Sequence, residues 1–198
     1  LTGLREQEYE LLRLRELYET DVRYDAYETL GAQVIAKDTG NWYHSFIVDK
    51  GEADGVREDM NVLSAGGLVG RITRTGQHWA RVETIIDDNS NVSGSVLATA
   101  DNLMVEGSLQ SFSRGVISFG HLLDEDGAVM EGDKVVTSNI SNRYLPGILI
   151  GYITSIELDP NNITRSGEIT PAVDFSHINN VLIILQTKQI PEEADVQS

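Results

Sequence analysis

The feature that most constrains this chain is a loose internal repeat. Gly55-Val-Arg-Glu-Asp-Met-Asn-Val-Leu63, followed by Gly67-Leu-Val-Gly-Arg-Ile-Thr73, recurs as Ala128-Val-Met-Glu-Gly-Asp-Lys-Val-Val136, followed by Gly147-Ile-Leu-Ile-Gly-Tyr-Ile-Thr154. In each copy an acidic turn leads into an apolar strand. A glycine-led loop follows, and the next strand carries an internal glycine, Gly70 or Gly151. Glycine inside a strand marks a bend or bulge of the kind a barrel corner needs. Two similar β units are therefore expected rather than one continuous sheet.

Runs rich in Val, Ile and Thr, separated by clusters of Gly, Asn, Asp and Ser, extend the pattern along the chain. Candidate strands are Gln33–Ala36, Ser45–Val48, Asn61–Leu63, Leu68–Thr73 and Arg81–Ile86, then Val92–Leu97, Leu103–Gly107, Gly115–Phe119, Lys134–Ser138, Ile148–Ile156 and Glu168–Ala172. A last run, Asn180–Gln186, is left over at the C-terminus and is expected to return and complete the first unit. No helical pattern long enough for a parallel crossover lies between these runs, which argues against a Rossmann-like arrangement. The expected fold is mainly β: an N-terminal helix over residues 1–30, a first small barrel over 31–91 completed by 178–188, and a second over 92–177. The polar tail 189–198 is expected to be disordered.

Residues 1–28 contain no Pro and many strong helix formers, and Gly31 is expected to end the helix. Leu4, Leu11, Leu14 and Tyr18 fall on an a/d seam, with Gln7 and Asp21 at the intervening d positions. A register through Leu1, Leu4, Leu11, Tyr18 and Val22 fits about as well. Two readings stay open: a dimeric coiled coil, or an amphipathic helix packed on its own domain.

With 31 Asp+Glu against 15 Lys+Arg, the chain carries a net charge of −16. A surface that negative repels nucleic acid and anionic headgroups. The absence of cysteine excludes a disulfide scaffold and thiolate metal sites. No run approaches the roughly 18 apolar residues of a membrane span, and no signal-peptide pattern is present. The chain opens at Leu1 inside a helical pattern, so a longer protein with an upstream segment is expected.

The search for chemistry returns little. His44, His78, His121 and His177 have no second ligand at metal spacing. No serine lies in a nucleophile loop: Ser138 follows a strand, but Thr137 and Asn139 flank it rather than glycines. Asp87-Asp-Asn-Ser-Asn91 begins like a calcium loop, but Val92 and Ala98 stand where the loop needs Gly and Glu. Gly66-Gly-Leu-Val-Gly70 lacks the lysine of a phosphate loop. Trp42, Tyr43 and Trp79 would be the stacking surfaces if the domain bound glycan. No catalytic residue, cofactor or metal is expected.

The ordered set of segments carries a family resemblance. It runs from Val34-Ile-Ala-Lys-Asp38 through Trp42, Ile47-Val-Asp-Lys50-Gly51, Asp54-Gly55-Val56, Gly67-Leu-Val-Gly70-Arg71 and Ile85-Ile-Asp87. It continues with Gly132-Asp133-Lys-Val-Val-Thr-Ser138, Pro146-Gly147, Ile150-Gly151, Pro171-Ala-Val-Asp-Phe175 and Val181-Leu-Ile-Ile184. In this order they resemble the MreC family of bacterial rod shape-determining proteins, over about Gln33 to Leu185 plus the helix. The resemblance implies a dimerising helix, two small β-barrels and no enzymatic activity. It implies a single-pass anchor upstream and a location on the extracytoplasmic face of the cytoplasmic membrane. It also implies a scaffold role in peptidoglycan synthesis during cell elongation, with the chain itself, MreD, RodZ and the elongation-specific penicillin-binding transpeptidase as partners. The chain departs from the family at Ser138-Asn-Ile-Ser-Asn-Arg-Tyr-Leu-Pro-Gly147, where members often carry a glycine-rich stretch.

Overall fold

The computed structural model describes residues 2–37 and 44–189. It opens with α1 (Thr2–Arg23) and continues with β1 (Thr29–Lys37), β2 (Ser45–Val48), β3 (Asn61–Ser64), β4 (Gly67–Thr75) and β5 (Ala80–Thr84). Next come β6 (Asn91–Val96), β7 (Asn102–Glu106), the short α2 (Leu109–Phe112), β8 (Ile117–Leu122) and β9 (Lys134–Thr137). The last strands are β10 (Leu149–Leu158), β11 (Arg165–Pro171) and β12 (Asn180–Ile184). These form two closed antiparallel barrels of six strands each, in the orders β1-β12-β3-β4-β5-β2 and β10-β11-β8-β7-β6-β9. Closure leaves neither sheet with an unpaired edge. The Trp42 position, the end of the Val34–Asp38 segment and most of the tail 189–198 lie outside the described residues.

The helix ends earlier than its composition suggests. After Arg23 the chain turns, with Tyr27 N–H donating to the Tyr24 carbonyl, and Tyr24 is buried. Gly31 does not end the helix; it lies inside β1, opposite Leu182 of β12. Ladder hydrogen bonds to a strand 150 residues away (Leu30 opposite Ile183, Gly31 opposite Leu182) override the local helical preference of the segment.

The strands alternate where one face is wet and lose alternation where both are covered. β5 and β6 read buried-in, half-exposed-out. β3 and the first four residues of β4 are buried at every position. Their inner faces fill the first barrel; on the outside β4 lies against β10 of the second, and β3 lies near α1. Val62, Leu68, Ile72, Val82 and Ile183 in the first barrel, and Val105, Ile117, Val135, Ile153 and Ile169 in the second, belong to one continuous buried cluster. Burial of each such side chain contributes about 1.5–3 kcal/mol.

The repeat survives in the hydrogen bonding. In the first copy Asp59 N–H donates to the Ile72 carbonyl and Ile72 N–H to the Met60 carbonyl, both at 2.9 Å. In the second, Gly132 N–H donates to the Ile153 carbonyl (2.7 Å) and Ile153 N–H to the Asp133 carbonyl (3.0 Å). Val62 faces Gly70, as Val135 faces Gly151, and each hairpin has a register shift beside that pair. The internal glycines are needed for space: a Cβ would stand 1.9 Å from the Glu83 carbonyl at Gly70 and 2.1 Å from the Thr170 carbonyl at Gly151. One alignment changes by a residue. Gly147, left-handed at φ 82°, has its counterpart in Gly66 (φ 100°), which stands four residues before Gly70 as Gly147 does before Gly151.

Candidate interaction surface

On α1, only Arg13 and Leu17 are half-buried against the barrels among residues 3–19, and Tyr24 at the base is buried. These three fall on one stripe of a helix with 3.6 residues per turn. The seam residues point elsewhere: Leu4, Leu11, Leu14 and Tyr18 are 64%, 50%, 46% and 69% exposed. At about 100° per residue, the seam is centred roughly 120° around the helix from the barrel-facing stripe. The two readings of the helix therefore use different faces. One face packs on the chain's own barrels, and the other leaves four large apolar side chains in water. The alternative register includes Leu1 and Val22, whose side chains lie outside the described set.

Between α1 and the barrels runs an open groove of about 840 Å³, lined among others by Tyr9, Arg13, Glu16, Leu17, Asp174 and His177. Its charges are mixed in sign, and it presents no set of like groups aimed at one point.

The polar residues are taken up by the architecture. Asp87 is fully buried; its carboxylate meets His44 Nδ1, and its other oxygen accepts from Asn89 N–H at 2.8 Å. Asp88 accepts from Leu109 N–H at 2.8 Å. The acidic run that begins like a calcium loop thus ties turns together. The serine next to His44, Ser45, has its hydroxyl engaged by Arg81 (3.2 Å), and Ser138 donates to Asn102 Oδ1 (2.9 Å). Buried Asp124 accepts from Ala128 N–H (2.8 Å) and lies 3.6 Å from the Arg165 guanidinium. His177 pairs with Asp174 at 2.8 Å, while His121 sits within β8 with left-handed backbone. Among the described residues no group of three or more His, Asp or Glu is arranged to hold a metal.

The motif glycines and their neighbours shape turns in both barrels and do not converge. Gly51 and Gly55 bracket a short 3-10 turn, and Lys50 is half-buried before it. A Cβ on Gly67 would meet the Leu149 carbonyl. Gly132 is left-handed (φ 93°), and Asp133 accepts from Met130 N–H (2.9 Å). Pro146 offers its carbonyl to the Tyr27 hydroxyl (3.2 Å). Trp79 packs its indole over Gly76 and is partly exposed. Sequence reasoning passed over Asn61 and Tyr144. Asn61 is 1% exposed, and its side chain grips the backbone of the β9–β10 loop. Burial pushes the Tyr144 phenol up to about 12, against the pull of Arg71.

The fold and the bare seam define a class: a two-barrel β protein led by an amphipathic helix. Within that class this chain belongs to the MreC family, whose model "Rod shape-determining protein MreC, barrel core" matches residues 34–185. It is 32% identical over 170 residues to the cell shape-determining protein MreC of Listeria monocytogenes, covering 82% of this chain and 55% of that protein. The chain thus spans about half the length of the curated relatives it matches. A solved Listeria MreC structure superposes with a TM-score of 0.74 at 27% identity, covering 96% of this chain and 95% of that one. An MreC solved in complex with Penicillin-Binding Protein (PBP2) from Helicobacter pylori shares the fold, with a TM-score of 0.61 at 12% identity over 79% of this chain and 98% of that one. Among the described residues no helix is long and apolar enough to cross a membrane.

Proposed function

We propose that this chain is a non-catalytic scaffold of the bacterial cell-elongation machinery, which organises peptidoglycan synthesis and cell shape. It self-associates through α1 and presents its barrels to partners on the extracytoplasmic face of the cytoplasmic membrane. The observation that carries the reading is the exposed seam. Four large apolar side chains on one stripe of a helix, clear of the chain's own core, are what a second helix needs for knobs-into-holes packing. The setting and the partners MreD, RodZ and the elongation-specific penicillin-binding transpeptidase are what the family resemblance implies, and they are part of this proposal. The relative solved with PBP2 supports the last of these. The net charge of −16 suits a protein that stays soluble and avoids nucleic acid.

Calorimetric titration of the folded chain against the soluble ectodomain of the elongation transpeptidase from the same organism tests the partner claim. Saturable binding at micromolar affinity or tighter is expected. Absence of heat from folded, dimeric material overturns direct binding by this part of the protein.

A further inference from the structure

The main chain crosses between the barrels at two places, residues 85–90 from β5 to β6 and residues 172–179 from β11 to β12. The apolar packing that the two barrels share is non-directional, so two main-chain ties alone leave them free to rock about the line joining the ties. The repeat shows where a third tie lies. In the first copy residues 65–66 join β3 to β4; in the second, residues 138–148 join β9 to β10. The extra length of the second loop reaches across to the first barrel.

What it meets there is built. Asn61, at the start of β3, donates from Nδ2 to the Arg143 carbonyl (3.0 Å) and accepts at Oδ1 from Leu145 N–H (2.8 Å). One side-chain amide thus pairs with the loop as a neighbouring strand would. Tyr144, between those two backbone groups, is buried, and Arg71 and Glu83 of the first barrel stand close enough to act on its phenol. The base of the helix grips the same segment: Tyr27 donates to the Pro146 carbonyl (3.2 Å), and Tyr24 Oη accepts from Leu149 N–H (3.0 Å). Around the second barrel β6, β9, β10 and β11 are consecutive neighbours. The loop therefore sits on the rim between the two crossings, and three points on a curved rim leave no hinge axis.

We propose that residues 138–149, the β9–β10 loop and the first residue of β10, are a latch, held by Asn61, Tyr24 and Tyr27, that fixes the angle between the barrels and joins α1 to it. With the latch seated, helix and barrels turn as one body. With it released, the second barrel hinges about the two crossings. This conclusion does not depend on the helix pairing with a second copy.

The chain has no cysteine, so Arg74→Cys in the first barrel and Glu157→Cys in the second accept nitroxide labels without background. Double electron–electron resonance on this labelled chain, diluted with an excess of unlabelled chain so that each measured spin pair lies within one molecule, is expected to give one narrow distance distribution. Asn61→Ala removes both bonds to the loop and is expected to broaden the distribution about twofold, as a freed hinge would, with the circular dichroism of the β fold unchanged. Tyr24→Phe combined with Tyr27→Phe keeps both rings, loses both hydroxyls and is expected to broaden it less. An already broad native distribution overturns the proposal, as does a folded Asn61→Ala protein as narrow as the native one. If Asn61→Ala does not fold, the tyrosine pair decides, and unchanged width there overturns it.

Discussion

In the barrels, Ile72, Ile117, Ile153 and Ile169 are removed from water almost completely, while in α1 Leu4, Leu11, Leu14 and Tyr18 stand in it. Each barrel absorbs its inward-facing apolar residues because strands alternate and closure gives every inward side chain a neighbour, while outward-facing ones such as Ile35, Leu97 and Leu158 stay exposed. The helix lays one face, through Arg13 and Leu17, on the barrels and leaves the seam face in water. The barrel side chains hold the chain together, and the seam residues stand clear of its core. Substitutions in the two regions should therefore fail in different ways.

The largest effects should come from the corner glycines. Gly151→Ala drives a methyl into the Thr170 carbonyl, which does not yield without moving β11. A loss on the order of 4 kcal/mol is expected in urea denaturation, and Gly70→Ala should match it in the first barrel. Ile72→Ala or Ile153→Ala, at equivalent positions of the repeat, should cost about 3 kcal/mol each through lost burial and a cavity. If one costs far more than the other, the barrels are not equivalent as folding units.

The joint between the barrels should show in alkali. The folded Tyr144 phenol ionises at about 12, and the unfolded one near the ordinary value of 10.0. Its contribution is thus fully present below pH 10 and is lost as pH rises towards 12. That amounts to on the order of 2–3 kcal/mol. Tyr144→Phe should flatten the stability curve of the native chain in this window, measured by denaturation at fixed pH steps.

Much of the barrel architecture is written in local signals. Ser45–Val48 and Lys134–Thr137 stand out as short β-branched or apolar runs between turn residues, and the internal glycines Gly70 and Gly151 mark the corners because only glycine fits beneath a facing carbonyl. The helix end was not legible. Tyr24-Asp-Ala-Tyr-Glu28 is compatible with helix, and what breaks it are ties to Leu149 and Pro146, 125 and 119 residues away. Gly31 misleads for the same reason, since its strand partner is remote. The β9–β10 loop shows in the sequence as a departure from the family pattern. Its role is invisible there, because its grip is by backbone groups that any residue supplies. The seam was legible as a pattern, but not the direction it faces, which depends on where Arg13, Leu17 and Tyr24 dock.

The smallest expected effect on stability accompanies the largest on assembly. Replacing Leu11 and Leu14 together with Asp should change the barrel unfolding midpoint little, since both side chains already stand in solvent. Light scattering of the native and doubly substituted chains is the most direct test of self-association through the seam. The account predicts about twice the 21.8 kDa chain mass for the native protein and a single chain mass for the variant, with the same β circular dichroism. Equal masses for the two would contradict it.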